Sequence, residues 1–189
     1  MRIVRLASVV PLLLLGSAAN SLAQEAGDVG LSMGYPSTVA VIWHVTDRVA
    51  IRPEISFAWS SLETEIDTPI EGGELKSDTF TTSFGVSGLF YLGTTDRLRT
   101  YVVPRFVYSR ASIESEAPFT PDIDSTDDGY QFSGSFGAQY GISDRFSVFG
   151  EVGVAYSSMS VEFGSSPLVI ERESRSFGTR TAVGVTFYF

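Results

Sequence analysis

The 189 residues contain no cysteine, which excludes disulfide staples and all thiolate zinc or redox chemistry. Histidine occurs once, as His44, so any hydrolytic or acyl-transfer chemistry that needs an imidazole base has one candidate. Basic side chains are scarce, 13 against 22 acidic ones. That balance argues against nucleic acid as a partner, because neutralising phosphates requires Lys and Arg. After residue 23 no apolar run approaches the roughly 20 residues of a spanning helix, so the rest of the chain can enter a membrane only as strands.

The one strongly apolar segment lies at the start. Met1-Arg2-Ile3-Val4-Arg5 is short and basic, Leu6 to Ala19 is almost wholly apolar, and Ser21-Leu22-Ala23 has the small-x-small form of a cleavage site. The run is too short for a spanning helix and Pro11 interrupts it. Residues 1–23 are expected to be a signal peptide and 24–189 the mature domain, beginning at Gln24. Losing Arg2 and Arg5 leaves 11 basic side chains against 22 acidic, a net charge of −11.

Residues 24–189 alternate with the period of two that marks strands. From Val49 to Ser60 the odd positions read Val, Ile, Pro, Ile, Phe, Trp and the even ones Ala, Arg, Glu, Ser, Ala, Ser. Phe80–Leu92, Tyr130–Tyr140 and Phe177–Phe189 repeat the pattern, with one face aromatic and apolar and the other small or charged. A soluble sandwich turns such an apolar face inward and a membrane barrel turns it to lipid, so alternation alone leaves both open.

The connections separate the two. Thr46-Asp47-Arg48, Thr94-Thr95-Asp96-Arg97 and Ile142-Ser143-Asp144-Arg145 are three tight turns whose aspartates stand 49 and 48 residues apart, a repeated hairpin-plus-loop unit. Between them run Ser61–Asp78, Ala111–Gly129 and Gly164–Ser174, long and polar, the first two strongly acidic. Short turns at one end and long polar loops at the other are the asymmetry of outer-membrane barrels. Taking Val29–Val45 as one strand gives seven strands. Pro36, which cannot donate to a central ladder, splits that stretch and makes eight. The expected strands are 27–34, 37–45, 49–61, 79–93, 98–112, 129–142, 146–162 and 175–189. Aromatics gather near the turn end (Trp43, Phe90, Tyr140, Phe146, Phe187) and again near the loop end (Trp59, Phe80, Tyr108, Tyr130, Tyr156, Phe177), flanking a mostly aliphatic band.

The chain stops on an alternating Val183-x-Val185-x-Phe187-x-Phe189. With the leader and the repeated turns, this ending resembles the small outer-membrane β-barrel family typified by the OmpA membrane domain and OmpX. The resemblance implies an all-β, closed antiparallel transmembrane barrel in the cell outer membrane, with short periplasmic turns and long acidic extracellular loops. It implies a monomer without cofactor or metal. Its partners would be the lipid bilayer, lipopolysaccharide, periplasmic chaperones and the barrel-assembly machinery, which would read Val185, Phe187 and Phe189 as an assembly signal. No periplasmic peptidoglycan-binding domain accompanies the repeat, so cell-wall tethering is not implied.

Few residues invite chemistry. His44 falls by parity on the lumen face one residue from a turn, whereas a lipid-modifying enzyme acting on the outer leaflet would need its base at the opposite rim. Asp122–Gly129 misses the calcium-loop template, with Asp127 at the sixth position where Gly is needed and Ser133 at the twelfth where Glu is needed, and reads as a solvated acidic loop. Parity sends Arg52, Glu54, Arg105, Glu151 and Arg180 into the lumen at mid-membrane height, where isolated charges are costly and should pair. They form either an ion-paired plug or the gate of a narrow pore. The leading reading is therefore a non-enzymatic barrel that acts in envelope integrity, adhesion or evasion, with a channel for ions or small solutes as the alternative.

Overall fold

The computed structural model describes residues 25–36, 38–66, 73–95, 97–117, 120–163 and 170–189. Eight strands follow in chain order: β1 (Val29–Tyr35), β2 (Thr38–Thr46), β3 (Val49–Ile66), β4 (Gly73–Thr95), β5 (Leu98–Ala117), β6 (Thr120–Ser143), β7 (Phe146–Phe163) and β8 (Ile170–Tyr188). Every strand pairs antiparallel with its neighbour in sequence, and β1 pairs with β8 through Leu31↔Phe187 and Met33↔Val185, so the sheet closes into a barrel. Closure removes the free edges around the turn end, the condition for burying a sheet in lipid, while above the seam Ser56–Ile66 of β3 and Ile170–Ala182 of β8 are paired on one side only among the described residues.

The break between β1 and β2 lies at Tyr35–Pro36, where the strand count requires it. The long connections differ from expectation. Ser61–Ile66 pairs residue for residue with Gly73–Asp78, and Ala111–Ser115 pairs with Ile123–Asp127. Much of the sequence that reads as acidic loop is thus ladder that continues past the bilayer as tall hairpins. Asp124 to Gly129 belongs to β6, so the acidic run that reads as a solvated loop is strand. Ser37, Asp96 and residues 67–72, 118–119 and 164–169, named in the strand, turn and loop expectations, lie outside the described residues, as do 1–24 with the expected leader and mature start.

The faces divide as a membrane barrel requires. Trp43, Trp59, Phe80, Tyr108, Tyr130, Tyr140 and Phe177 are all exposed on the outside, while lumen-facing His44, Leu89 and Tyr101 are shut away. The band between the two girdles is not only aliphatic. Phe106 and Phe132 face outward within it with ring centroids 4.9 Å apart, and Phe136, further along β6 and opposite Val102, faces outward too. Aromatic rings satisfy lipid contact as well as aliphatic ones do, so the girdles are edges of a continuous apolar belt.

Candidate functional site

The lumen is the interior of this fold, and it is filled in three layers. The lowest, at the turn end, is a network of hydroxyl and amide groups. Gln139 Nε2 donates to Tyr188 Oη at 2.9 Å and to Ser147 Oγ at 2.6 Å, and Tyr91 Oη donates to Gln139 Oε1 at 3.2 Å. His44 Nε2 lies 3.3 Å from Tyr188 Oη, and its ring stacks on Tyr91 with centroids 5.5 Å apart. Arg99 sits over the Tyr91 ring, its guanidinium carbon 3.8 Å from the centroid, and donates from Nη2 to the carbonyl of Asp47 at 2.7 Å. His44 is fully buried and the hydrogen-bond contact of its ring among the described residues is a tyrosine, not a serine, so the one histidine is part of a floor.

Above it, Ile42, Ala50, Leu89, Val103 and the ring of Tyr101 form a small apolar layer. Its packing depends on a glycine. Tyr101 stands opposite Gly137 in the β5–β6 ladder, and a Cβ at residue 137 would run into the Tyr101 ring.

The third layer is the charged one. Arg52, Glu54, Arg105, Glu151 and Arg180 all point inward, and the structure brings all five together. Glu151 takes three donors: Arg52 Nη1 at 2.9 Å, Arg180 Nη1 at 3.0 Å and Tyr101 Oη at 3.3 Å. Glu54 is paired with Arg105, whose Nη1 also donates to Gln131 Oε1 at 3.1 Å. The strands deliver these side chains from different numerical heights. Arg52 rises on β3, Arg105 on β5, Glu151 on β7 and Arg180 on β8, and the shear of the barrel levels them. Opposite charges held in contact are the form in which ionised groups persist at membrane depth. Chemically the layer can hold the barrel closed and present arginine N–H groups upward; its five members include no nucleophile with a base beside it.

Tyr91, Arg99, Tyr101, Gln139 and Tyr188 are lumen residues that reasoning from residue type passes over. Their parity is the available signal, since Tyr101 shares a face with Arg105, and Tyr188 shares one with Arg180 and Thr186. Val185 and Phe187 lie on β8 in the closing ladder, and Phe189 follows, its backbone N–H donating to the Val29 carbonyl at 3.2 Å. Among the described residues no group of three or more His, Asp or Glu side chains is arranged to hold a metal ion.

No known family model matches the sequence, and no curated protein is similar to it. Solved structures do match. A major outer membrane protein of Thermus thermophilus superposes with a TM-score of 0.51 at 12% identity, covering 86% of this chain and 98% of that one. CarO of Acinetobacter baumannii is similar over 90% of this chain and 100% of its own at 15% identity, TM-score 0.42. The N-terminal β-barrel domain of Pseudomonas aeruginosa OprF is similar over 88% of this chain and 100% of its own at 15% identity, TM-score 0.37. At such identity the likeness to the Thermus protein speaks for architecture and not for activity. Eight antiparallel strands closed in a ring, an apolar aromatic outer face and a polar lumen give this chain the fold of the small outer-membrane β-barrels.

Proposed function

We propose that this chain is a non-enzymatic barrel of the outer membrane that does not conduct, and that it serves the envelope or the cell surface through its tall extracellular hairpins. The observation behind the reading is the stacked closure of the lumen: Glu151 locked between Arg52 and Arg180, with buried Tyr101, Leu89 and Ile42 beneath. An eight-stranded barrel is just wide enough for its own side chains to fill it. On this reading residues 1–23 are an export signal removed before Gln24, and N-terminal sequencing of envelope material should return Gln24. The partners are lipopolysaccharide and phospholipid around the belt, with periplasmic chaperones and the assembly machinery during biogenesis. The working form is a monomer.

Planar-bilayer recording of the refolded protein tests the reading. The expected trace has no stepwise openings. Reproducible unitary steps would overturn it in favour of a narrow channel gated by the same five charges.

A further inference from the structure

Above the charged layer the barrel widens into a cavity of about 770 Å³ that opens at the loop end. Its wall carries small hydroxyl side chains, among them Ser56, Ser83, Ser109, Ser157 and Ser176, beside apolar Val107 and Phe149. The charged residues of its lining are Arg52, Arg105, Arg180, Glu54 and Glu151, three cations against two anions. The floor therefore carries one positive charge in excess.

The donors at the floor are unevenly used. Arg180 gives its bonds through Nη1, to Glu151 Oε2 and to Ser135 Oγ at 3.3 Å, so its Nε and Nη2 have no protein acceptor among the described residues. Arg105 gives its bonds through Nε and Nη1, which leaves Nη2. Arg52 also lines the cavity and its buried Nε has no partner among the described residues, but its side chain is 6% exposed against 11% for Arg105 and 15% for Arg180, so the spare N–H groups of the latter two are the more accessible. A guanidinium in a confined site of low polarisability strongly favours an oxyanion, and its planar N–H fork suits a carboxylate.

We propose that the cup is a binding site for a small organic monocarboxylate, which enters from the loop side and seats its carboxylate on Arg180 and Arg105. The single excess charge of the floor is matched by one negative charge; a dianion would leave the layer net negative. The hydroxyl wall supplies hydrogen bonds to the body of the ligand without adding charge. The layers beneath make the site a dead end, yet binding from above does not depend on whether the lower lumen conducts.

The test uses refolded protein in a non-ionic detergent, with the arginine side-chain N–H signals followed by NMR during titration with sodium acetate. Sodium chloride and inorganic phosphate are run separately at matched ionic strength. Acetate should shift the Arg180 and Arg105 signals saturably, chloride should not, and phosphate should bind more weakly. Arg180→Gln should weaken acetate binding about tenfold or more, the loss expected for a charge-assisted hydrogen bond. Ser83→Asp places a fixed carboxylate on the wall without touching an ion pair, so it should abolish acetate binding while the barrel stays folded. That variant decides the matter if Arg180→Gln fails to refold. No saturable shift in the native protein, equal shifts with chloride, tighter binding of phosphate, or undiminished acetate binding in Ser83→Asp would each overturn the proposal.

Discussion

Arg52 Nη1 stands 2.9 Å from Glu151 Oε1 across the middle of the barrel, with the Arg52 side chain 6% exposed and that of Glu151 fully enclosed. The pair joins β3 to β7, strands on opposite sides of the ring, and Arg180 completes it from β8 at 3.0 Å. Such a pair gains little over a well-packed apolar core of the same volume, but removing one member leaves a buried charge without its counterpart.

Glu151→Gln should therefore be costly, about 3–5 kcal/mol, because it strips two arginines of their carboxylate. Glu54→Gln should cost less. Arg105 then keeps its bond to Gln131 and, of the three arginines in the layer, is second to Arg180 in access to water. The two carboxylates hold different arginines, so the double mutant should depart from the sum of the singles by less than about 1 kcal/mol. Denaturant midpoints in detergent would measure all three. Native midpoints in both single mutants would mean that water solvates the layer.

Gly137→Ala addresses the apolar layer beneath. The added Cβ would meet the Tyr101 ring, and Tyr101 cannot retreat without surrendering its bond to Glu151. Overpacking of this kind typically costs about 1–3 kcal/mol. A second substitution, Gly137→Ala with Tyr101→Leu, should recover part of that loss. Absence of any recovery would place the strain elsewhere.

The closed ladder predicts a gel behaviour. With β1 hydrogen-bonded to β8 over Gly30–Tyr35 the ring is closed around the turn end, so unfolding must break that closed ring as a whole. Unheated and boiled samples should migrate at different positions. Co-migration of samples shown folded by circular dichroism would contradict closure.

Much of this is legible in the residues, and the parts that are not share a cause. Alternation places Arg52, Glu54, Arg105, Glu151 and Arg180 inside, since a period of two admits only two faces. It leaves the partners of each unassigned, because the stagger between strands sets relative height and no single strand records it. The hairpins above the bilayer read as loops for another reason. Glu63 and Lys76 face each other in the ladder with water on both sides of the sheet, so neither face has cause to be apolar and the alternation fades while the pairing persists. Tyr91, Tyr101 and Tyr188 are hidden by composition: an aromatic in such a strand suits the lipid face, and only its parity says otherwise.

The rim offers a pH dependence with a definite sign. Burial, with the charge of neighbouring Asp128 added to it, pushes the Asp127 carboxyl above the usual carboxylate range. Asp127 is buried and its Oδ1 has no hydrogen-bond partner among the described residues. A carboxyl whose folded-state value is raised favours the fold while it is protonated, and that contribution disappears as pH rises through the raised value. Asp127→Asn should thus match the native protein in acid and be the more stable of the two at neutral pH. Amide hydrogen exchange across Ala111–Ser115, the segment paired with Asp127 and its neighbours, would report it. A native protein that gained rim protection relative to Asp127→Asn on going from acid to neutral pH would reverse the sign and refute the assignment.

Phe189 separates assembly from stability. The residue is 78% exposed and its ring touches Phe187 edge-on, with centroids 5.6 Å apart, while its backbone adds one hydrogen bond to Val29 at the seam. So few contacts predict a small loss on deletion in vitro, about 1 kcal/mol for the hydrogen bond and less than a full side-chain burial for the ring. The resemblance of the Val185-x-Phe187-x-Phe189 ending to an assembly signal predicts a much larger defect in cells, because the machinery would meet this strand before the seam with β1 has closed. Deleting Phe189 should therefore reduce the heat-modifiable form in outer-membrane fractions several-fold, while the purified variant refolds in detergent with a midpoint near that of the native protein. Equal losses in both assays would make Phe189 a residue of the seam alone. An unchanged yield in membranes would remove the terminal strand from any role in targeting.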